Sequence, residues 1–358
     1  MWDTTGRTYW DFYGGHAVTL IGQAHPVWID AITRQARSLS FFTGLAPVPI
    51  RHEAAQALCE FTGMDVAWFV NSGAEANEAA LKIARKSTGR PVVVSMINGF
   101  HGRTMGALGV TWKYREQHAP AHGSSRFVPF GDIDALKEAL GPDVAGVIVE
   151  PVQGIAGIVE PPEGYLSEVA RLCKENGSVL ICDEVQCGVG RMGEPLVSKS
   201  QGVTPDVVTV GKGVGGGFPV AGVLLSHEMA NTVGAGEHGT TFGGAPLACA
   251  AVCATLKIIQ DETLMDKAVQ IGQTLKELLL ELDQVIEVRG AGAWIGVQMD
   301  QPVAPLARAL LTRGFMVGTA SNPTVLRLSP PAIMPVSACR LLVTALKELL
   351  NQSIEEAA

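Results

Sequence analysis

Between residues 66 and 225, short apolar runs rich in β-branched residues alternate with segments of helical periodicity. Nearly every residue of these runs is apolar, which is typical of strands buried on both faces of a sheet. Because strands and helices alternate, the pattern predicts a largely parallel sheet covered by helices on both sides. The predicted strands are Val66–Val70, Val92–Met96, Val144–Val149, Val179–Cys182, Val207–Val210 and Val220–Leu225.

Two of the intervening helices can be delimited from the sequence. The first is Ala74–Lys86, and Ser72 just before it is a favourable N-cap residue. The second ends at Gly177, a residue type that commonly follows the last turn of a helix. Its apolar face is formed by Leu166, Val169, Leu172 and Cys173.

The C-terminal part of the chain shows mainly helical spacing of its apolar residues. One long amphipathic helix is predicted for residues 264–282, and another around residues 342–349 with Ser337 as its cap. Short strands are predicted at Trp294–Met299 and Val325–Leu328 between these helices.

These elements predict a second, smaller α/β unit, which the strand pattern at Thr8–Phe12 is expected to join. We therefore predict an N-terminal segment (1–25) that packs with a small C-terminal domain (257–358), and a large domain between them (26–256).

Composition and charge exclude several classes of protein. The chain has 358 residues, 47% of them hydrophobic and 17% charged, which is incompatible with a disordered chain. A net charge of −8 without a basic stripe argues against binding to nucleic acid or to anionic membrane surfaces. The apolar runs are shorter than a membrane span, and the N-terminus has no apolar signal core.

The seven cysteines are scattered through apolar segments without C-x-x-C spacing. This distribution indicates reduced thiols and no structural zinc, and no metal site is predicted. We expect a cytoplasmic protein.

Three features that carry chemistry each follow a predicted strand, where open α/β sheets bind ligands. The first is the small-residue turn of Asn71–Glu78, in which a strand ends and a helix begins. Its free N–H groups and the helix dipole suit a phosphate, although the turn alone is more typical of an ordinary N-cap.

The second feature is Asp183–Glu184, two carboxylates at the end of an apolar strand. A buried carboxylate needs a partner, and a cationic ring nitrogen is a suitable one. A helix cap or a salt bridge is the alternative interpretation.

The third feature is Lys212, which lies between glycines at the end of another apolar strand. Glycines let backbone and ligand crowd the ammonium group, and desolvation lowers a lysine pKa, which favours a Schiff-base nucleophile. A surface lysine is less consistent with glycines on both sides.

Two further glycine patterns do not fit a nucleotide site. Gly188–Gly193 matches G-x-G-x-x-G, but it does not follow the strand directly, and Glu194-Pro195 stands where a helix should begin. Gly211-Lys212 is followed by Gly213 rather than by Ser or Thr, so it is not a Walker loop.

A phosphate turn, an acid for a ring nitrogen and a Schiff-base lysine together describe one cofactor, pyridoxal 5'-phosphate (PLP). Seven motifs occur together along the chain: Asn71–Glu78, Phe100–Thr104, Glu150–Gly154, Asp183–Gln186, Gly211–Gly213, Gly239–Gly244 and Leu326–Pro331. In combination they resemble the class III aminotransferases of the acetylornithine and ornithine type, over nearly the whole chain. The resemblance implies PLP fold type I, with a large domain of mostly parallel sheet covered by helices and a smaller α/β domain.

The resemblance also implies the roles of individual residues. The catalytic pair would be Lys212, which bonds to the cofactor and moves a proton, and Asp183, which keeps the ring nitrogen protonated. Cofactor-binding residues would be Ser72, Gly73, Ala74, Phe100, Asp183, Val185, Gln186, Lys212 and Thr241. Thr241 would reach the phosphate of a neighbouring subunit, so a homodimer with shared active sites is expected.

Substrate carboxylates need binding groups, and arginine suits them by its bidentate geometry. Arg103 and Arg327 are the candidates by family position, with Thr240 near the substrate side chain, whereas Arg191 and Arg289 are predicted to be structural.

The chain departs from the family pattern in two places. Many relatives carry glutamate where Ile155 stands, and that glutamate masks the arginine corresponding to Arg327 while an ω-amine is bound. We therefore expect Arg327 to stay open to carboxylates, which favours α-amino donors. The chain also starts within a family motif, and we expect a wider substrate entrance where relatives carry a further N-terminal segment.

The favoured function is transfer of an amino group from an amino acid, acetylornithine- or ornithine-like or an α-amino donor, to a 2-oxoacid such as 2-oxoglutarate. Three alternatives remain: a PLP-dependent aminomutase or racemase of the same fold, a nicotinamide-dependent oxidoreductase using Gly188–Gly193, and a catalytically silent binding protein. The presence of Lys212, Asp183 and the phosphate turn argues against the last.

Overall fold

The computed structural model describes residues 1–115, 117–118 and 124–355, except the side chains of 352–355. The strands are β1 (Trp10–Asp11), β2 (Val66–Val70), β3 (Val92–Met96), β4 (Ser125–Val128), β5 (Val144–Val149), β6 (Val179–Asp183), β7 (Val207–Val210), β8 (Ala221–Leu225), β9 (Val285–Ala291), β10 (Trp294–Met299), β11 (Phe315–Met316), β12 (Gly318–Thr319) and β13 (Val325–Leu328).

The helices are α1 (Gly14–Ala17, a single left-handed turn), α2 (Pro26–Ser38), α3 (Pro49–Thr62), α4 (Gly73–Thr88), α5 (Met105–Gly109), α6 (Ile133–Ala139), α7 (Gly154–Gly157), α8 (Tyr165–Asn176), α9 (Val197–Ser200), α10 (His227–Ala230), α11 (Pro246–Asp261), α12 (Leu264–Leu279), α13 (Ala304–Thr312) and α14 (Val336–Glu355). None of the helices in the described part of the chain is long and apolar enough to span a bilayer.

Seven strands form the main sheet in the order β2-β8-β7-β6-β5-β3-β4. Neighbouring strands are parallel except where β8 pairs with β2 and β7. Alternate residues of one strand enter different cores, since Val93 packs with α4 on one face and Val94 packs with the residues of α3, α8 and α11 on the other. The prediction of a mostly parallel sheet covered on both faces is confirmed.

The six predicted strands of this sheet are present, with β6 extended to Asp183 and β8 beginning at Ala221. The edge strand β4 was not predicted from the sequence. Only its last residue, Val128, is buried, so it lacks the continuous apolar run that identified the other strands.

A second sheet, in the order β12-β13-β10-β9, is antiparallel and packs against α12 and α14. Phe12 lies in the same core, and β1 pairs in parallel with β11. The domain boundaries remain a prediction, and α11 runs across the one placed between residues 256 and 257.

Two predicted helix boundaries were wrong, the start of one helix and the end of another. The last helix begins at Val336, so Ser337 lies inside its first turn and Pro335 precedes it. The long amphipathic helix ends at Leu279 rather than at Leu282, because Leu282 lies in a turn in which its N–H donates to the Leu279 carbonyl at 3.2 Å.

Candidate active site

The carboxyl ends of the parallel strands meet at one edge of the main sheet and bring the predicted residues together. Ser72, Gly73 and Ala74 follow β2, Phe100 and Arg103 follow β3, and Glu150 follows β5. Asp183 ends β6, with Val185 and Gln186 after it, and Lys212 follows β7. Residues far apart in the sequence thus face one cleft because the sheet places their strand ends side by side.

Asp183 is held by a buried network of hydrogen bonds. Asn77 Nδ2 and His101 Nδ1 donate to its Oδ2 atom at 2.8 and 2.7 Å, and the Val185 N–H donates to its Oδ1 atom at 3.0 Å. Thr209 Oγ1 in turn donates to Asn77 Oδ1 at 2.8 Å and so orients the amide. This arrangement matches an ionised carboxylate, which only accepts hydrogen bonds.

The charge state of Asp183 follows from two opposing effects. Burial disfavours the carboxylate, but the hydrogen bond and charge of His101, with smaller contributions from the Val185 N–H and Lys212, outweigh it. The pKa of the Asp183 carboxyl therefore lies below its ordinary value. A buried anion at this position can hold a proton on a cationic group beside it.

Lys212 begins a single 3₁₀ turn, Lys212–Gly215, and has a left-handed φ of 45°. Its amine makes no hydrogen bond to any described residue. Burial lowers the pKa of Lys212, although the nearby carboxylates of Asp183 and Glu150 act in the opposite direction. A lowered pKa increases the share of neutral amine, which is the nucleophilic form.

Ser72, Gly73 and Ala74, at the start of α4, form a small turn with free N–H groups, which we call the cradle. Ser72 caps the helix by accepting from the Glu75 N–H at 3.3 Å, while the N–H groups of Gly73 and Ala74 have no partner among the described residues. A Cβ atom at Gly73 would lie 2.6 Å from Val185 Cγ1. Glycine is therefore required here for the turn to approach the loop after β6 closely.

Glu150 is buried between the loops that follow β3 and β5. Its two carboxylate oxygens accept the N–H groups of Phe100 at 2.9 Å and Gly154 at 3.0 Å. Burial is the main cause that raises the pKa of Glu150, with the negative charge of Asp183 adding to it. The Glu150 carboxylate therefore holds the backbone of Phe100 in position.

The two predicted substrate arginines differ in their surroundings. Arg103 is exposed, and its guanidinium lies 4.7 Å from the ring centroid of Tyr114 and 5.9 Å from that of Phe100. Arg327 on β13 is only 3% exposed, donates to the Gly154 carbonyl at 3.3 Å and has an unpartnered Nε atom. Neither arginine has an ion-pair partner among the described residues.

The predicted threonines are less closely tied to this group. Thr240 Oγ1 accepts a hydrogen bond from Asn71 Nδ2 at 3.1 Å, which places it beside the start of α4. Thr241 is exposed in the following turn, and within the described part of this chain its side chain makes no hydrogen bond to the other site residues.

The model of the family described as "Aminotransferase class-III" matches residues 1–350. The chain belongs to the class III aminotransferase family. It is therefore an enzyme of the transaminase class, and its fold is that of PLP fold type I.

Individual relatives of this aminotransferase agree with the family assignment. It is 38% identical to an acetylornithine aminotransferase of Methanocaldococcus jannaschii, over 98% of this chain and 91% of that protein. It is 39% identical to a putative LysW-aminoadipate semialdehyde/glutamate semialdehyde transaminase of Pyrococcus furiosus, over 98% of this chain and 93% of that protein. None of the relatives named here is an aminomutase or a racemase.

Among solved structures, the ornithine aminotransferase of Toxoplasma gondii superposes with a TM-score of 0.93 at 30% identity. The match covers 99% of this chain and 89% of that one. That structure is described as having partial occupancy of PLP at the protein active site.

The residues of this aminotransferase fit PLP, the cofactor that its family implies. Gln186 Oε1 and His101 Nε2 are buried without a hydrogen-bond partner among the described residues. The free N–H groups of the cradle suit a phosphate, and the ionised Asp183 suits a protonated ring nitrogen. Each polar part of the cofactor thus has a matching group in the cleft.

Sequence reasoning missed four residues of this site: Asn77, His101, Glu150 and Thr209. Asn77, His101 and Glu150 stand in the motifs used for the resemblance, but none of them was given a role. Thr209 pairs with Asp183 across β6 and β7, a register that becomes known only once the strand order is known. Asn77 lies one helical turn after Gly73, and that spacing was a signal available in the sequence.

Proposed function

We propose that this chain is a PLP-dependent aminotransferase that moves an amino group from an acetylornithine- or ornithine-like donor, or from an α-amino donor, to a 2-oxoacid such as 2-oxoglutarate. The observation that carries the proposal is the buried, ionised Asp183, bonded to His101 and Asn77, beside an amine of lowered pKa at Lys212.

When bound, PLP supplies an electrophilic carbonyl carbon and a ring that accepts electrons. In the proposed roles, Asp183 holds the proton at the ring nitrogen, and His101 and Asn77 keep Asp183 oriented and ionised. Lys212 carries a proton to and from the substrate Cα atom. Such preset charges need no reorganisation during the reaction, which lowers its barrier.

The remaining cofactor contacts follow from the positions around the cleft. Ser72, Gly73 and Ala74 would bind the phosphate at the start of α4. Phe100 and Val185 would enclose the ring between their apolar surfaces, and the amide of Gln186 would bind the ring hydroxyl. The buried, unpartnered Oε1 atom of Gln186 supports the last assignment.

Arg103 and Arg327 would bind the carboxylates of donor and acceptor, with Thr240 beside the substrate side chain. Ile155 follows Gly154, whose carbonyl accepts from Arg327. Because Ile155 carries no charge, it leaves the guanidinium without an internal carboxylate. We therefore propose that Arg327 stays available for substrate carboxylates throughout the cycle.

We further propose a cytoplasmic homodimer in which Thr241 contacts the cofactor phosphate of the partner. A set of large apolar side chains is exposed near Thr241. Among them, Phe41 packs edge-on against Phe242, with the ring centroids 5.6 Å apart. The set comprises Leu39, Phe41, Phe42, Leu45 and Phe242. Exposed apolar groups of this size are typical of a subunit interface, and light scattering of the purified protein tests the dimer.

A panel of amino donors tests the proposed function. Purified holoenzyme is incubated with 2-oxoglutarate and ornithine, N-acetylornithine, alanine or another donor, and glutamate formation is measured. We expect 2-oxoglutarate-dependent loss of at least one donor, abolished in Lys212→Ala but not in the surface variant Lys257→Ala. Conversion of a donor without any oxoacid product would instead identify an aminomutase or racemase and would overturn the proposal.

A further inference from the structure

A second cavity lies beside the turn α7, between the loops that follow β3 and β4 and the second sheet. We call it the rear cavity, and its volume is about 520 Å³. None of the described residues that line it is acidic. Its polar lining consists of two cationic and four neutral side chains, those of Lys113, Arg289, Asn98, Gln153, Ser321 and Asn322.

The rear cavity is separate from the active-site cleft. Ala156 of α7 lines the cavity, whereas the Gly154 carbonyl of the same turn accepts from Arg327. The N–H and hydroxyl groups of Ser321 donate to the Ile155 carbonyl at 2.9 and 2.8 Å and so hold α7 against the second sheet. None of the described residues that line the cavity has been assigned to the cofactor or the substrate. The turn α7 therefore borders both sites, and they share no side chain.

Arg289 is held in place by two side chains and keeps an unused donor. Its Nη1 atom donates to Glu287 Oε2 at 3.1 Å, and its Nη2 atom donates to Gln298 Oε1 at 3.4 Å. These two bonds agree with a structural role, but the Nε atom is buried without a partner among the described residues. A buried donor on a charged group costs free energy until an acceptor reaches it. An anionic ligand would supply that acceptor.

Lys113 and two amides line the same cavity. Neither the Lys113 ammonium nor the Asn98 side-chain amide forms a hydrogen bond or an ion pair with any described residue. Asn322 Nδ2 donates to Gln298 Oε1 at 3.3 Å, the same oxygen that accepts from Arg289. Two positive charges thus border a space that no carboxylate lines among the described residues. An anion in this space would accept charge-assisted hydrogen bonds from both.

We propose that the rear cavity is a binding site for a small organic dianion, whose charge is carried by a phosphoryl group or by two carboxylates. Arg289 and Lys113 match the two negative charges, and Ile97, Phe130 and Val159 supply apolar surface for the organic part. The volume lies in the range of small-molecule sites. The proposal goes beyond the aminotransferase function and does not depend on it.

Titration calorimetry of the PLP-saturated enzyme with phenyl phosphate and with phthalate tests the site. At slightly alkaline pH each probe carries two negative charges on one aromatic ring, and phenol is the neutral reference. Arg327→Met is the starting protein, because it weakens binding of the probes in the active-site cleft. Lys113→Met and Arg289→Met are added to it one at a time. Lys347→Met, which removes an exposed lysine of α14, is the matched control.

We expect at least one of the two dianions to bind to Arg327→Met, and phenol to show no measurable binding. Adding Lys113→Met or Arg289→Met should weaken binding by about tenfold or more, the effect of one charge-assisted hydrogen bond. Adding Lys347→Met should leave the affinity unchanged. Binding of phenyl phosphate alone identifies a phosphorylated ligand, and binding of phthalate alone identifies a dicarboxylate.

Failure of both dianions to bind to Arg327→Met would overturn the proposal. Equal affinities after addition of Lys113→Met, Arg289→Met and Lys347→Met would overturn it as well. Lys113 is exposed, so Lys113→Met decides the question even if Arg289→Met is unstable. Absence of transamination by the wild-type enzyme would refute the proposed function and leave this site unaffected.

Discussion

At the scale of single residues, the chemistry of the site depends on the side chains that hydrogen-bond to Asp183. The sequence identified the acid and the lysine because each interrupts or ends an apolar strand. It did not identify His101, Asn77 and Thr209, because their contacts with Asp183 span three separate segments of the chain. Such contacts are determined by strand order and helix position, which residue types alone do not encode.

Replacement of His101 by leucine should shift the pH dependence of activity. His101 lowers the pKa of Asp183, so its loss raises that pKa, and the carboxylate becomes protonated at a higher pH than in the wild type. The acidic limb of kcat against pH is expected to move to higher pH, with a lower maximum. His52→Asn is the control, and an acidic limb that stays in place in His101→Leu would contradict the assigned role.

Replacement of Ile155 by glutamate should give Arg327 an internal partner. The neighbouring residue Gly154 already accepts a hydrogen bond from Arg327, so a carboxylate at position 155 is close enough to compete with substrates. We expect the ratio of kcat/KM for glutamate or alanine to that for ornithine to fall by about tenfold, the effect of one charge-assisted contact.

The neutral variant Ile155→Gln controls for the change in side-chain size, because it is similar in shape to glutamate but has no charge. If the wild type already strongly prefers ω-amines, and Ile155→Glu leaves this preference unchanged, the idea of an open Arg327 is refuted.

At the scale of elements, the strands buried on both faces were predicted almost residue by residue, since a continuous apolar run has few alternatives. The elements that were missed or misplaced are those without such a run. The edge strand β4 is only partly buried, β9 has mostly partly buried or exposed residues, and α14 begins directly after Pro335.

The close approach of α4 to the loop after β6 predicts a specific effect of Gly73→Ala. The added Cβ would lie 2.6 Å from Val185 Cγ1, so the turn at Ser72, Gly73 and Ala74 must move away from Val185. The free N–H groups of this turn would then no longer point at the cofactor phosphate. We expect PLP affinity, measured by titration of the cofactor-free protein, to fall by about tenfold, the value of a charge-assisted hydrogen bond.

Gly44→Ala is the matched control, because nothing lies within 4 Å of a Cβ atom at Gly44. The double variant Gly73→Ala, Val185→Ala removes the steric conflict and should recover part of the lost phosphate binding. Unchanged PLP affinity in Gly73→Ala would count against the cradle.

At the scale of the whole molecule, one arginine joins the parts that surround the cleft. Arg191 is 1% exposed and donates to the carbonyl oxygens of Ala17, Ala293 and Pro330. These carbonyls belong to the left-handed turn and to segments next to β10 and β13. Burial lowers the pKa of Arg191 to about 9, and the prediction that it is structural agrees with these contacts.

Replacement of Arg191 by methionine should destabilise the protein strongly, because three buried carbonyl groups lose their donors. We expect the free energy of unfolding in urea to fall by about 3 kcal/mol or more. The exposed variant Arg34→Met should change it by less than about 0.5 kcal/mol. Similar stabilities of the two variants would show that Arg191 does not hold these segments together.

The cleft draws its side chains from positions as far apart as Ser72 and Arg327, on both sheets. All the proposed cofactor contacts lie between Ser72 and Thr241, whereas Arg327 comes from the second sheet. Uptake of the coenzyme, visible as a coloured band in the absorption spectrum, is therefore an optical signal of the folding of the main sheet, and binding of a substrate carboxylate reports that the second sheet has taken its place.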